Sequence, residues 1–141
     1  MALSGRPAHL DPRRVALVAA GGTIGAGLRS AIGSVTGGSQ LGIPWPTLAI
    51  NVAGALALGL LVEVLAATVR EPRRRQSLQL ALGTGLLGGF TTYSAFAVET
   101  ATLAAHRPAL AVGYAGGSLV LGYLAAAAGM WLGRRVPGGR P

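Results

Sequence analysis

A run of glycine and hydroxyl residues interrupts the apolar stretch between residues 78 and 104. The run, residues 88–94, reads Gly-Gly-Phe-Thr-Thr-Tyr-Ser, which is poor material for a straight membrane helix. If the backbone unwinds there, freed carbonyls suit a hard cation such as sodium, whereas N–H groups and hydroxyls suit an anion. Unwound backbone at membrane depth is tolerated only inside protein or along an aqueous path. The alternative is a continuous helix whose glycines serve packing and whose hydroxyls bond to carbonyls one turn earlier.

Two further polar residues lie in or beside apolar stretches. Asn51 carries an amide with two N–H donors, which costs free energy in a membrane unless it is paired. A hydrogen bond between helices is the commoner use of such an asparagine, and contact with a permeating solute is the other. Arg29, at the end of the first apolar stretch, either extends to the lipid headgroups or guards an anion vestibule.

Aromatic and hydroxyl side chains recur at helical spacing. Tyr93 and Phe96 stand at i and i+3 and share a helix face, where their electropositive ring edges suit an anion. An aromatic pair that fills a helix interface is the alternative. Tyr114 and Ser118, at i and i+4, form either a polar stripe or hydrogen bonds between helices.

The same sequence argues against an enzyme. Cysteine is absent, and both histidines lie beside charged or proline-containing loops, which disfavours thiol and histidine chemistry. The acids Asp11, Glu63, Glu71 and Glu99 are too scattered for a carboxylate-pair hydrolase. Glu63 and Glu99 are predicted near helix ends, within reach of water.

The elements that position these residues are predicted to be membrane helices. The 141 residues are 51% hydrophobic and only 11% charged, with a mean hydropathy of +0.54, whereas soluble domains carry about 25% charged residues. A membrane span needs about 20 mostly apolar residues. Four stretches qualify, so we predict one all-α domain over 1–141 with spans at 15–35, 46–69, 78–104 and 109–133.

Small residues are predicted to bring the helices close together, and Trp45 and Trp131 lie where interfacial tryptophans are expected. Four pairs have the spacing that lets two backbones approach: Gly21 with Gly25, Ala55 with Gly59, Gly113 with Gly117, and Gly129 with Gly133.

Arginine is distributed unevenly about the four predicted spans. Ten arginines lie in the N-terminal tail, the middle connection and the C-terminus, against Arg29 and Arg107 on the other side. The positive-inside rule then places both termini in the cytoplasm. The arginines do not line one helix face with interleaved aromatics, so the net charge of +8 indicates a lipid membrane and no nucleic acid. The tail, residues 1–14, lacks the apolar core of a signal peptide.

Three motifs together resemble the Fluc/CrcB fluoride channels across nearly all of the four stretches. They are Gly-Gly-x-x-Gly-x-x-x-Arg ending at Arg29, Pro-Thr-Leu-x-x-Asn ending at Asn51 and followed by x-x-Gly, and Gly-Gly-Phe-Thr-Thr-Tyr-Ser-x-Phe-x-x-Glu ending at Glu99. Each motif is weak alone. Their order on successive spans makes the resemblance specific.

The resemblance implies a small antiparallel, dual-topology dimer with two fluoride pores and a structural sodium ion at its centre. It also implies that the channel exports cytoplasmic fluoride passively across the bacterial plasma membrane and so confers fluoride resistance. By position, the carbonyls of Gly88 and Thr91 would hold the sodium, and Arg29 would lie near the vestibule. The pore residues implied are Asn51, Tyr93, Phe96, Thr92, Ser94, Tyr114 and Ser118.

Two features depart from the family pattern. The family usually has phenylalanine where this chain has Tyr93, so one of the two pores is expected to be altered or closed. A dual-topology homodimer also needs balanced loop charges, and the ratio here is ten arginines to two. We therefore predict a fixed orientation and a heterodimer with an oppositely oriented paralogue, with a homodimer as the alternative.

Two other functions fit a small four-span protein. A proton-coupled multidrug exporter would need a carboxylate in the middle of its first span, where the sole ionisable side chain is that of Arg29. A non-transporting assembly subunit would need only the small-residue packing, and it leaves the polar cluster around Asn51 and Thr92 without a purpose.

Overall fold

The computed structural model describes residues 11–36 and 42–137, and within them it contains helices and no strand. Most of the predicted N-terminal tail and the predicted connection at 37–40 lie outside these residues. The prediction of an all-α protein is confirmed. The α-helices are α1 Pro12–Thr36, α2 Trp45–Thr68, α3 Pro72–Leu78, α4 Gly88–Phe90, α5 Tyr93–His106 and α6 Pro108–Gly133, and a π-helical stretch Gln79–Leu87 joins α3 to α4.

Among the described residues, three helices are long and apolar enough to cross a membrane, namely α1, α2 and α6. The third predicted span is composite: it comprises the end of α3, the π-helical stretch, α4 and most of α5. Proline lies in the first turn of α2, α3 and α6, where its missing N–H costs little. Because four crossings depend on how the composite segment lies in the membrane, the count of four stays a prediction.

Glycines hold the helices together in two parallel pairs. In the first pair, α1 packs on the composite segment, with Gly21 against Ala81 and Gly25 against Leu86. In the second pair, α2 packs on α6, with Leu56 against Gly129. At each of these glycines a Cβ atom would collide with a backbone carbonyl of the neighbouring helix. The predicted close approach is therefore present at these positions.

The composite segment is broken at Thr91–Thr92, inside the run that the sequence marks. Thr91 has ψ of 159°, and Thr92 has φ of −143° and ψ of 118°, so both leave the helical region. A continuous helix is therefore wrong for this segment. The break is shorter than the predicted run, because Gly88 and Gly89 remain helical in α4. Gly89 instead packs against the backbone of Gly22 in α1, which explains why a glycine is needed there.

Candidate functional site

Asn51 on α2 holds the broken backbone in place. Its Nδ2 donates to the Thr92 carbonyl over 3.0 Å, and its Oδ1 accepts from the Thr92 amide over 2.8 Å. One side chain thus satisfies the two backbone groups that a helix would otherwise pair. The second N–H of the amide has no partner within the described part of the chain, and Asn51 lines a cavity beside the break.

Thr92 also begins the next helix. Its Oγ1 accepts from the Ala95 amide over 3.1 Å, as an N-cap residue does, and lies 3.2 Å from the Ser94 hydroxyl. The side chain is buried, with 8% of its surface exposed. Thr92 therefore fixes both where the break ends and in which direction α5 starts.

These bonds divert two amides from their usual acceptors. In a continuous α-helix the carbonyl of residue i accepts from the amide of residue i+4. The Thr92 amide, which would serve the Gly88 carbonyl, donates to Asn51, and the Ala95 amide, which would serve the Thr91 carbonyl, donates to the Thr92 side chain. The carbonyls of Gly88 and Thr91 have thus both lost their α-helical donor.

A cavity of about 410 Å³ opens beside the break. Its polar wall contains the amide of Asn51 and the hydroxyl of Ser118 on α6. The Ser118 Oγ is buried and has no hydrogen-bond partner among the described residues. The wall brings together five of the predicted pore residues and both predicted sodium ligands: Asn51, Thr92, Tyr93, Phe96 and Ser118, with Gly88 and Thr91.

Three aromatic rings form a row across α5 and α6. The centroids of Tyr93 and Phe96 lie 6.0 Å apart at 44°, and those of Phe96 and Tyr114 lie 5.5 Å apart at 38°. The row runs from open to buried, because Tyr93 is 81% exposed and Tyr114 only 5%. Tyr114 lies behind Phe96 and does not line the 410 Å³ cavity, and neither does Ser94, which contacts Thr92.

Glu99 corrects one expectation from the sequence. Its carboxylate does not simply reach water at a helix end: Oε1 accepts from the Thr47 hydroxyl over 2.6 Å and Oε2 from the Tyr114 hydroxyl over 2.8 Å. Three helices, α2, α5 and α6, therefore meet at one carboxylate. The presence of an acid inside a predicted span was the available signal, since such a group needs a partner.

Arg29 lies on the other side of the break. Its Nε donates to the Gly89 carbonyl over 3.2 Å, and the side chain lines a second cavity of about 430 Å³. Thr47 and Thr92 line the same cavity. Thr92 thus separates an arginine-lined cavity from the cavity that contains Asn51 and Ser118. The guanidinium of Arg29 is therefore beside the break and outside the aromatic-lined cavity.

Comparison with known proteins gives a consistent result. Residues 16–130 match the model of a family described as CrcB-like protein, Camphor Resistance (CrcB). A protein named fluoride-specific ion channel FluC from Hyphomonas neptunium is 47% identical over 122 residues, covering 85% of this chain and 94% of the relative. FluC 2 from Leifsonia xyli subsp. xyli is 40% identical over 131 residues, covering 92% and 90%. These relatives are named as channels, which agrees with the expectation that the chain is not an enzyme.

Proposed function

The chain belongs to the CrcB-like protein family, and we propose that it forms a passive channel that lets fluoride leave the bacterial cytoplasm. The observation that carries this proposal is the buried hydroxyl of Ser118, which has no hydrogen-bond partner among residues 11–36 and 42–137 and lines the same cavity as Asn51 and Phe96. A neutral donor without a partner is suited to an anion that is present only in transit.

Fluoride is small and strongly hydrated, so its path must replace water with other donors without trapping the ion. The second N–H of Asn51, the Ser118 hydroxyl and the ring edges of Phe96 and Tyr93 supply such groups. No arginine of the described residues lines this cavity, and Arg29 lies across Thr92 from it. We expect Arg29 to attract the anion to the break and the neutral groups to conduct it onward.

The family resemblance implies a structural sodium ion, and the backbone at the break fits that ion. Unwound carbonyls coordinate sodium in membrane transport proteins. The carbonyls of Gly88 and Thr91 have lost their helical donors, and Gly88 lies exposed on the surface of the chain. We propose that these two carbonyls contribute to a site completed by a second subunit.

A second subunit is also proposed for the open surface of α6. At Gly113, Gly116 and Gly117 on this helix, a Cβ atom would have no neighbour within 4 Å among the residues that the structure describes. Small residues on a membrane helix favour close approach of another helix. We propose an antiparallel arrangement of four-span subunits, with both termini of this chain in the cytoplasm. The arginine bias of ten to two favours an oppositely oriented paralogue as partner.

The function is tested by fluoride efflux from liposomes that contain the full chain, alone or with such a paralogue. We expect efflux that needs only a potassium ionophore to balance charge. Ser118→Ala is expected to reduce it about tenfold, since a hydrogen bond to an ion contributes about 1.5 kcal/mol. Asn51→Ala is expected to abolish efflux, because the Thr92 backbone also loses both of its hydrogen bonds to the Asn51 side chain.

Thr102→Val is the matched control for Ser118→Ala. It removes an exposed hydroxyl on α5 that donates to the Val98 carbonyl of the same helix and does not line the cavity. Efflux that falls equally in Thr102→Val and Ser118→Ala would contradict the proposed path. Protection of cells against a quaternary ammonium dye but not against fluoride would favour the multidrug exporter. Mixed-orientation dimers that conduct fluoride without any paralogue would exclude the fixed-orientation heterodimer.

A further inference from the structure

The end of α6 carries an arginine that is stacked on a tryptophan. The guanidinium carbon of Arg135 lies 3.6 Å from the ring centroid of Trp131, one helical turn earlier. Trp131 is 54% exposed and Arg135 is also exposed. Stacking occupies the flat face of a guanidinium and leaves its N–H groups free along the edge. Those edge donors match the oxygens of a phosphate group in a bidentate manner.

This stacked pair lies at the arginine-rich end of the helices. Because α2 and α6 are parallel, Thr68 and Gly133 end on the same side, and α3 starts there after a short connection. The composite segment that α3 begins runs parallel to α1, so α1 starts on that side as well. The described residues at this end include eight arginines and three acids, a net charge of +5.

The acids at this end are already engaged within the chain. Asp11 pairs with Arg14 at 3.3 Å, Glu63 pairs with Arg134 at 3.2 Å, and Glu71 accepts from the amides of Arg73 and Arg74. No acid is paired with Arg135 among the described residues. The excess positive charge therefore faces outward, where a membrane protein meets lipid headgroups.

We propose that Arg135, oriented by Trp131, binds the phosphate of an anionic phospholipid such as phosphatidylglycerol. A free anion is the less suitable ligand, because an exposed tryptophan at the end of an apolar helix lies at headgroup depth. The acyl chains then lie along the exposed side chains of Leu124 and Leu132 on the same helix. The lipid site is separate from the proposed fluoride path and does not depend on it.

Tryptophan fluorescence tests this proposal. The chain has two tryptophans, so Trp45→Phe leaves Trp131 as the only one. In liposomes of mixed composition, a brominated lipid quenches the fluorescence of Trp131 when the lipid lies next to the indole ring. From the quenching curves we expect an affinity for brominated phosphatidylglycerol that is about fivefold higher than that for brominated phosphatidylcholine. This ratio corresponds to the attraction between one cationic side chain and an anionic lipid surface.

Three variants and one competitor decide the outcome. Arg135→Gln should bring the ratio close to one, whereas Arg107→Gln, at the other end of α6, should leave it unchanged. Arg135→Lys retains the charge without the planar fork and should lose at least half of the preference. Equal quenching by both lipids in the parent protein would overturn the proposal. An unchanged ratio in Arg135→Gln or in Arg135→Lys, or its loss when inorganic phosphate is added, would also overturn it.

Discussion

The two halves of α6 carry similar glycines in opposite surroundings. Near its C-terminal end, Gly129 and Gly133 press against α2, and a Cβ atom at either position would collide with Leu56 or Glu63. Near its start, Gly113 and Gly117 have the same spacing and open space around them. The spacing of small residues thus indicates that a helix will approach, and it does not tell whether that helix belongs to the same chain. Two tyrosines show a similar contrast, because Tyr114 on α6 is buried and Tyr93 on α5 is exposed.

The largest loss of stability is expected at a glycine that packs against another helix of the same chain. In Gly25→Val the new side chain would collide with the Leu86 carbonyl and the Phe90 amide, neither of which can move without shifting the composite segment. Overpacking against backbone should destabilise the fold by about 3 kcal/mol or more. Thermal unfolding in detergent measures this loss, and Gly27→Val, with open space at its Cβ, is the matched control on α1. Equal unfolding temperatures for the two variants would contradict the packing described here.

A smaller loss is expected at the buried tyrosine. Tyr114→Phe removes the hydroxyl that donates to Glu99 and leaves the stack on Phe96 in place. Hydrogen bonds between membrane helices contribute about 0.6 kcal/mol and at most about 1.7 kcal/mol, so we expect destabilisation within that range. A double-mutant cycle with Glu99→Gln isolates the pair, and a coupling energy of zero would show that the bond contributes nothing.

Substitution of a glycine with open space around it should affect association of subunits and not folding. Gly117→Val adds a side chain where the described part of the chain has no neighbour, so the unfolding free energy of the subunit should change by less than about 0.5 kcal/mol. If a partner helix packs there, the same change should dissociate the proposed dimer. Subunit counting by single-molecule photobleaching in lipid bilayers measures this directly. An intact dimer carrying Gly117→Val would place the partner on another face.

The smallest effect on stability is expected at the open tyrosine. Tyr93→Phe removes a hydroxyl from a ring that is 81% exposed and leaves its 6.0 Å contact with Phe96. The unfolding temperature should not change. Fluoride efflux should rise if the hydroxyl impairs a pore, as its departure from the family pattern suggests. Unchanged efflux would show that the tyrosine is tolerated in the path.

Part of this arrangement follows from sequence because the cost of polar groups in a membrane is local. The run at 88–94 was recognisable as a weak helix, and a break is present within it. The location of the break at Thr91 and Thr92 was not predictable, because it depends on hydrogen bonds from Asn51 of α2 to the Thr92 backbone. Gly88 and Gly89 looked like part of the break and are helical instead, and Gly89 packs against Gly22 of α1.

Other features depend on register between helices, which one sequence does not contain. Thr47, Glu99 and Tyr114 are distant in the chain, and nothing in their spacing shows that their side chains meet. Likewise, a π-helical stretch at Gln79–Leu87 was not expected from a glycine- and leucine-rich segment that also suits an α-helix. Asn51 was assigned either to helix pairing or to a solute. The structure shows the first use, because the amide oxygen and one N–H pair with the backbone of Thr92, and contact with a solute stays a prediction.

The Asn51–Thr92 clamp also has a consequence for synthesis of the protein. The two residues lie 41 positions apart in the chain, so ribosomes complete α2 well before its partner exists. At about 5 to 20 residues per second, the asparagine amide lacks this partner for about 2 to 8 seconds. If α2 enters lipid within that interval, its Asn51 amide does so without the Thr92 backbone as a partner. The contact that fixes the break can thus form only after the chain has been synthesised as far as Thr92.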